Sequence, residues 1–419
     1  MAIHDVCKIP IVDGFNLIYS KYLFRPLLTK GDEYRYFHDE IETMVLKMFQ
    51  ARLGLIKRYE VNGLGLYIGD NCNMKCKYCH RRQYVQKNNH NLDKMFESIE
   101  YLHKYNPNIN NVQITGGEPF ANAHFLGNII DYIKSLFGKD VLFSFNTNGT
   151  IINDNLLRIL KNINYKVSVS LDGNREIHDE NRIFHDNCGT FDVIGNTIDI
   201  YQKNGIRIEG ALTVIGDGSL ALDIDEFLSF LSFLVTRNIN YVGLQTDKFN
   251  TRHIKKKFNL MMQIMERARD YGIKCGGECM LLTDKLLNFE EFNDNIFFAS
   301  KCTLYNLKSI SVDYNRNIIN CCYAPNRVLA LNNYIVFVEK MDLDWIIDFY
   351  EKNECNSCLY WAFCTGKCAS VETHDAECFM KRLVFSYLLK HDPQRIINLF
   401  SKYDVNYQFQ DSETGAPKI

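Results

Sequence analysis

With 419 residues, 46% hydrophobic and 23% charged, the chain has the composition of a globular protein and the length of two or three domains at roughly 150 residues each. A net charge of −2 supplies no global field for nucleic acid or an anionic membrane. The longest apolar stretch, Phe227 to Val235, falls far short of the ~18 residues of a membrane span, and "MAIHDVCKIP" shows no basic segment followed by an apolar core; a cytoplasmic protein with no nucleic-acid and no membrane partner is expected.

Residues 1–62 read as short extended pieces ("IPIV", "FNLIYS", "YRYF") followed by a helix from Asp39 to about Leu53. From residue 63, β-rich runs alternate with amphipathic patterns. The expected strands are Gly63–Gly69, Asn111–Thr115, Val141–Phe145, Tyr165–Leu171, Arg207–Val214 and Asn240–Gln245. One expected helix, "ANAHFLGNIIDYIKSLFG", aligns Leu126, Ile129, Ile130, Ile133 and Leu136 and stops at Gly138. A second, "TFDVIGNTIDIYQKNG", starts at Thr190 and stops at Gly205. Others are expected near Asp223–Thr236 and Thr251–Tyr271. Such β-α repeats build a parallel sheet with helices outside. Six repeats are short of a full barrel, so the expected fold is α/β, a partial (β/α)6 TIM-type barrel. Residues 273–380 follow as a cysteine-rich α+β domain, and 381–419 as C-terminal helices, interrupted by Pro393, with a disordered tail.

The unusual polar motifs fall at the carboxyl ends of successive strands, where parallel α/β folds place their sites. These are Cys72–Cys79, then "TGGEP", "NTNG" and "SLDG". The chain holds fifteen cysteines, an odd number, with three at 72–79 and eight between Cys302 and Cys378. Clustered thiols in a reducing compartment point to metal rather than disulfides. "NCNMKCKYCH" places Cys72, Cys76 and Cys79 in a C-x3-C-x2-C run. With His80 as a fourth ligand it is a zinc site. Without it, it is an iron–sulfur site with one iron open to a small molecule.

C-x3-C-x2-C with the aromatic Tyr78 before its last cysteine resembles the signature of the radical S-adenosylmethionine (SAM) enzymes. The resemblance covers about residues 63–250. It implies a [4Fe–4S] cluster on Cys72, Cys76 and Cys79, whose open iron chelates the amino and carboxylate groups of SAM. The resulting 5′-deoxyadenosyl radical abstracts an unactivated hydrogen. Gly116, Gly117, Glu118 and Pro119 resemble the motif that holds the SAM amino group. By the same resemblance Ser170 contacts the ribose or carboxylate and Arg182 pairs with the carboxylate. Thr213 and Val214 line the adenine side, which Tyr78 helps to shape.

"CNSCLYWAFCTGKC" gives Cys355-x2-Cys358-x5-Cys364-x3-Cys368, with Cys378 beyond. One or two zinc ribbons are the plainer reading. The pattern resembles the SPASM (twitch-type) extension of radical SAM enzymes, which implies two auxiliary [4Fe–4S] clusters and three clusters in all. Cys302, Cys321 and Cys368 then hold cluster I; Cys355, Cys358, Cys364 and Cys378 hold cluster II. The fourth ligand of cluster I stays open among Cys322, Cys279, Cys275 and a vacant position. The hairpin "ISVDYNRNIINCC" departs from the family in having Arg316 where Gly is usual.

The resemblance implies an oxidoreductase of the peptide (RiPP) maturase branch, forming a thioether or C–C crosslink in a precursor peptide. Its electrons come from a flavodoxin or ferredoxin-type donor. A sulfatase-maturase-like oxidation of a protein side chain is the alternative. It is disfavoured by Cys322 or Tyr323 standing where that branch has a basic Asp. A non-catalytic iron–sulfur or zinc scaffold is the reading from another class. Residues 1–62 loosely resemble a leader-peptide-binding module, whose mode is strand addition; a structural cap on the barrel is the competing reading.

Overall fold

The computed structural model describes residues 6–11, 13–20, 27–31, 61–79, 91–221, 224–247, 252–276, 309–319 and 328–330, with a few positions between 386 and 394. The expected helix from Asp39 and most of the second cysteine region lie outside the described residues.

Three strands, β1 (Val6–Pro10), β2 (Phe15–Ser20) and β3 (Leu27–Lys30), form a small antiparallel sheet. The strand at 27–30 was not among the expected extended pieces, and "YRYF" lies outside the described residues. Asp13 and Gly14 turn β1 into β2 with φ of 53° and 77°.

The main sheet alternates strand and helix: β4 (Gly63–Tyr67), α1 (Leu92–Tyr105), β5 (Asn111–Thr115), α2 (Ala123–Phe137), β6 (Leu142–Thr147), α3 (Asp154–Lys161) and β7 (Asn164–Ser170). It continues with α4 (Arg175–Asn181), α5 (Phe191–Lys203), β8 (Gly210–Ile215), α6 (Ile224–Val235), β9 (Tyr241–Thr246), α7 (Ile254–Asp270) and β10 (Lys274–Gly276). The hairpin β11 (Ser309–Asp313) and β12 (Asn317–Ile319) and a last strand β13 (Val328–Ala330) complete it. The six expected strands are present with ends shifted by up to three residues. Helix starts are set by side-chain caps: Asn91, Asn122, Asn153 and Asn174 each accept a backbone N–H of the first turn.

The strand order is β10-β9-β8-β7-β6-β5-β4-β11-β12-β13. Two further parallel strands therefore extend the expected six: β10 beside β9, and β11 in register with β4 from Ser309↔Gly63 to Asp313↔Tyr67. From β4 to β10 the order in space follows the order in sequence. Crossovers that always step in one direction put the helices on one face, the barrel-type arrangement, here left open.

The pleat separates the two faces. Leu64, Leu66, Val112, Ile114, Phe143, Phe145, Val167 and Val169 are buried in one core with Ile99, Leu126, Ile129, Leu160 and Ile198 of the helices. Their alternates Gln113, Ser144, Asn146, Ser168, Ser170 and Gln245 are half-buried or exposed on the opposite face. A closed barrel fills that interior with branched apolar side chains; this one is lined with amides and hydroxyls. Among the described residues no helix is long and apolar enough to cross a membrane.

Candidate cofactor and metal site

The loop that leaves β4 carries Cys72, Cys76 and Cys79, all half-buried free thiols. Its backbone is pressed onto the loop after β5. A Cβ on Gly116 would stand 2.5 Å from the Gly69 oxygen, and one on Gly117 2.4 Å from the Asn71 oxygen. In return Gly117 N donates to Gly69 O at 2.7 Å and Glu118 N to Asn71 O at 2.7 Å. The two glycines thus admit the close approach of the cysteine loop.

Glu118 is spent inside the protein. Its Oε1 accepts from Phe120 N at 3.0 Å and Thr147 Oγ1 at 2.7 Å, and its Oε2 from Asn148 N at 2.6 Å. Burial pushes its carboxyl up to about 7 against those three bonds. Pro119 begins a short 3-10 turn, Pro119–Ala121. Glu118 therefore ties "NTNG" to the cysteine loop. Asn148 continues that tie, its Nδ2 donating to Asn73 Oδ1 at 2.8 Å and lying 3.7 Å from Cys72 Sγ.

The far side of the loop pairs with the connection after α4. Lys75 N donates to Ile183 O and Lys77 N to Asn181 O, each at 2.8 Å, and Met74 bridges Phe184. His185 Nε2 lies 3.1 Å from Cys72 O.

Burial pushes the Cys72 thiol up to about 11 and raises that of Cys76 as well. As free groups these thiols keep their protons at neutral pH; metal ligation displaces them. Among the described residues no three His, Cys, Asp or Glu side chains converge on one point that could hold a single ion. A four-iron cluster takes one thiolate per iron, and three thiols on one loop are a donor set that such a cluster can use. The Asn148 amide at the Cys72 sulfur is the kind of donor that tunes cluster thiolates. His80, the zinc alternative, lies outside the described residues.

The end of β7 supplies a residue that was quoted within "SLDG" but given no role. Asp172 is fully buried. Its Oδ1 accepts from Val214 N at 2.9 Å. Its Oδ2 accepts from the Tyr78 hydroxyl and lies 3.0 Å from Arg182 Nε. Its N–H donates to His178 Nδ1 at 3.3 Å. Tyr78, Arg182 and Val214, expected around one cofactor, are thus brought together on one carboxylate. The Arg182 guanidinium also lies over the Tyr78 ring, 5.2 Å from its centre. Ser170, the last residue of β7, is half-buried on the polar face.

Thr213, expected on the adenine side, turns its side chain away from the polar face. Its side chain is fully buried and its hydroxyl donates to Leu171 O at 2.7 Å. It shares the helix-facing side of β8 with Ala211 and Ile215, so Val214 alone of the pair turns to the polar face.

His178 and Asp179 of α4 both make contacts inside the protein. Thr190 Oγ1 donates to Arg182 O at 2.8 Å, so the His178 Nε2, 2.9 Å away, is the donor to Thr190 and Nδ1 the acceptor. Burial lowers the His178 pKa to about 4, which agrees with this neutral tautomer. Asp179 caps α5, its Oδ1 accepting from Thr190 N at 2.7 Å and Phe191 N at 2.9 Å.

Of the expected auxiliary ligands, Cys302, Cys321, Cys355, Cys358, Cys364, Cys368 and Cys378 lie outside the described residues, as do Cys322 and Cys279. Cys275 pairs in register with Val242 and is buried in the helix-side core. The β11–β12 hairpin is described. Arg316 turns it with φ of 66°, the left-handed conformation that suits the glycine usual there. Asp313 fastens the turn by accepting from Asn315 N and Asn317 N, each at 2.8 Å. Tyr314 then reaches Asp70 at 3.3 Å, two residues before Cys72.

Residues 66–234 match the Radical SAM superfamily profile. The chain is 29% identical over 171 residues to a cysteine-type anaerobic sulfatase-maturating enzyme of Clostridium novyi, covering 38% of this chain and 45% of that one. It is 22% identical over 342 residues to the radical SAM cyclopropyl synthase TigE of Paramaledivibacter caminithermalis, covering 74% and 68%. In fold it is similar to anSMEcpe with bound AdoMet, with a TM-score of 0.59 and 18% identity over 82% of this chain and all of that one. It is likewise similar to Streptococcus suis SuiB bound to S-adenosylmethionine, with a TM-score of 0.55 and 14% identity over 88% and 98%. Residues 66–234 are a Radical SAM superfamily domain, and the chain that carries it is an enzyme.

Proposed function

We propose that this protein modifies a ribosomally made peptide by hydrogen abstraction, closing a thioether or C–C crosslink. Cys72, Cys76 and Cys79 hold a [4Fe–4S] cluster, and Arg182, Tyr78, Val214 and Ser170 face SAM. Cluster and SAM together supply the radical chemistry. The polar face of the main sheet carries this reading. Gln113, Ser144, Asn146, Ser168 and Gln245 offer amide and hydroxyl partners, which suit the alternating donors and acceptors of a peptide. A scaffold with no substrate has no use for such a lining. The β11 hairpin joins the second cysteine region to β4, the strand that launches the first. That favours auxiliary clusters, on the ligands expected from the sequence, working at the same centre. SuiB is solved bound to the precursor peptide SuiA and anSMEcpe with AdoMet and a Cp18Cys peptide; a peptide substrate here follows those cases. A flavodoxin or ferredoxin supplies the electron, and residues 1–62, with their small sheet, guide the peptide's leader.

Co-expression with a candidate precursor peptide rich in Cys or in repeated aromatic residues tests the reaction. The expected product keeps its sulfur and loses a pair of hydrogens per crosslink. An aldehyde trapped by a hydrazine, with sulfur lost, would instead establish the sulfatase-maturase-like oxidation, which the Clostridium relative favours. Zinc without sulfide in the purified protein would sink both readings.

A further inference from the structure

We propose that Asp172 is the positioning residue of the cofactor site: it fixes Arg182, Tyr78 and the end of β8 so that the guanidinium is presented to the carboxylate of SAM. This rests on the reading that residues 66–234 bind SAM. The residue itself is closed to any ligand, being fully buried, whereas Tyr78 and Val214 are half-buried and Arg182 keeps 8% of its surface. A hidden group thus organises three that reach the surface, and they come from the loop after β4, the connection after α4 and the end of β8.

The chemistry requires a carboxylate. Each oxygen of Asp172 faces donors: Oδ1 the Val214 N–H, Oδ2 the Tyr78 hydroxyl and the Arg182 Nε. An amide of the same shape must turn an NH2 toward one of those donors. Arg182 meets Oδ2 through Nε, 3.0 Å away, and lies over the Tyr78 ring. Holding the guanidinium by that edge leaves its Nη groups able to pair with a second carboxylate. His178 holds the hub from behind through the Asp172 N–H and through Thr190 to the Arg182 carbonyl.

The test uses the full chain, reconstituted with iron and sulfide under anaerobic conditions, and equilibrium dialysis of SAM. With Asp172→Asn the dissociation constant rises by about tenfold or more, while the iron content holds and 5′-deoxyadenosine formation at saturating SAM falls far less. Tyr78→Phe keeps the ring, deletes one donor to Asp172, and raises the constant by a smaller factor. Arg182→Gln and the double variant Asp172→Asn/Arg182→Gln bind SAM equally weakly, because Asp172 acts through Arg182. Unchanged affinity in loaded Asp172→Asn, or additive losses in the double variant, overturns the proposal. Where Asp172→Asn does not fold, unchanged affinity in Tyr78→Phe overturns it. If the wild type binds no SAM, the reading beneath it fails instead.

Discussion

Arg182 and Asp172 form an ion pair 3.0 Å apart that is almost wholly closed to water, with Arg182 stacked on Tyr78. Ten residues separate them in sequence, and α4 folds the chain back to join them. Taking charges from water costs several kcal/mol per ion, so breaking such a pair is more damaging than never having made it. Arg182→Ala, which strands the carboxylate, is expected to destabilise the protein by about 3–5 kcal/mol. Urea unfolding of wild type and variant, read by circular dichroism, checks this; a loss below 1 kcal/mol, the range of exposed pairs, would show that the pair is solvated.

His178 makes stability depend on pH. Its folded pKa lies near 4 against 6.5 for the free group. The unfolded chain therefore binds the extra proton between those values. Its contribution is complete above 6.5 and is lost as pH falls toward 4, by up to about 3 kcal/mol. His178→Gln removes that dependence. Denaturation midpoints at pH 7.5 and 5 should fall further apart in the wild type than in the variant. Equal gaps would show that His178 is charged or exposed.

Gly117→Ala tests the brace behind the cysteine loop. A Cβ there stands 2.4 Å from the Asn71 oxygen and 2.5 Å from the Asp70 oxygen, both backbone atoms that cannot swing away. Overpacking of this kind costs about 1–3 kcal/mol, and here the strain falls on the loop that carries Cys72. Reduced iron incorporation in the first cluster is expected, read by the electron paramagnetic resonance of the reduced protein. A full signal would place the loop's order elsewhere.

Cys76→Ala removes one of the three thiols and should abolish SAM cleavage to 5′-deoxyadenosine, with about four irons lost per chain if the cluster fails to assemble. Undiminished cleavage would remove Cys72, Cys76 and Cys79 from the cofactor site.

Strands and helices of the main sheet were legible because each has its own period. "NVQIT" and "LFSFNT" alternate apolar and polar residues, and α2 repeats its apolar residues at helical spacing. The same alternation held a message that passed unread: a parallel strand polar on one face implies an interior that is not packed. β10 was missed, and so was the pairing of β11, expected only as part of a hairpin, with β4. Three residues carry too little pattern, and β11 earns its place by pairing with β4, distant in sequence.

Sequence alone determined the three thiols, the order of the motifs and their position after successive strands, since spacing and periodicity are local properties. Tertiary structure decided their partners. It set Gly116 and Gly117 against the cysteine loop and turned Glu118 inward to "NTNG". It buried Thr213 on the helix side and made Asp172 the meeting point of Tyr78, Arg182 and Val214. Those assignments depend on which strand lies beside which and on the face each side chain takes, and no local pattern encodes contacts between loops so far apart in the chain.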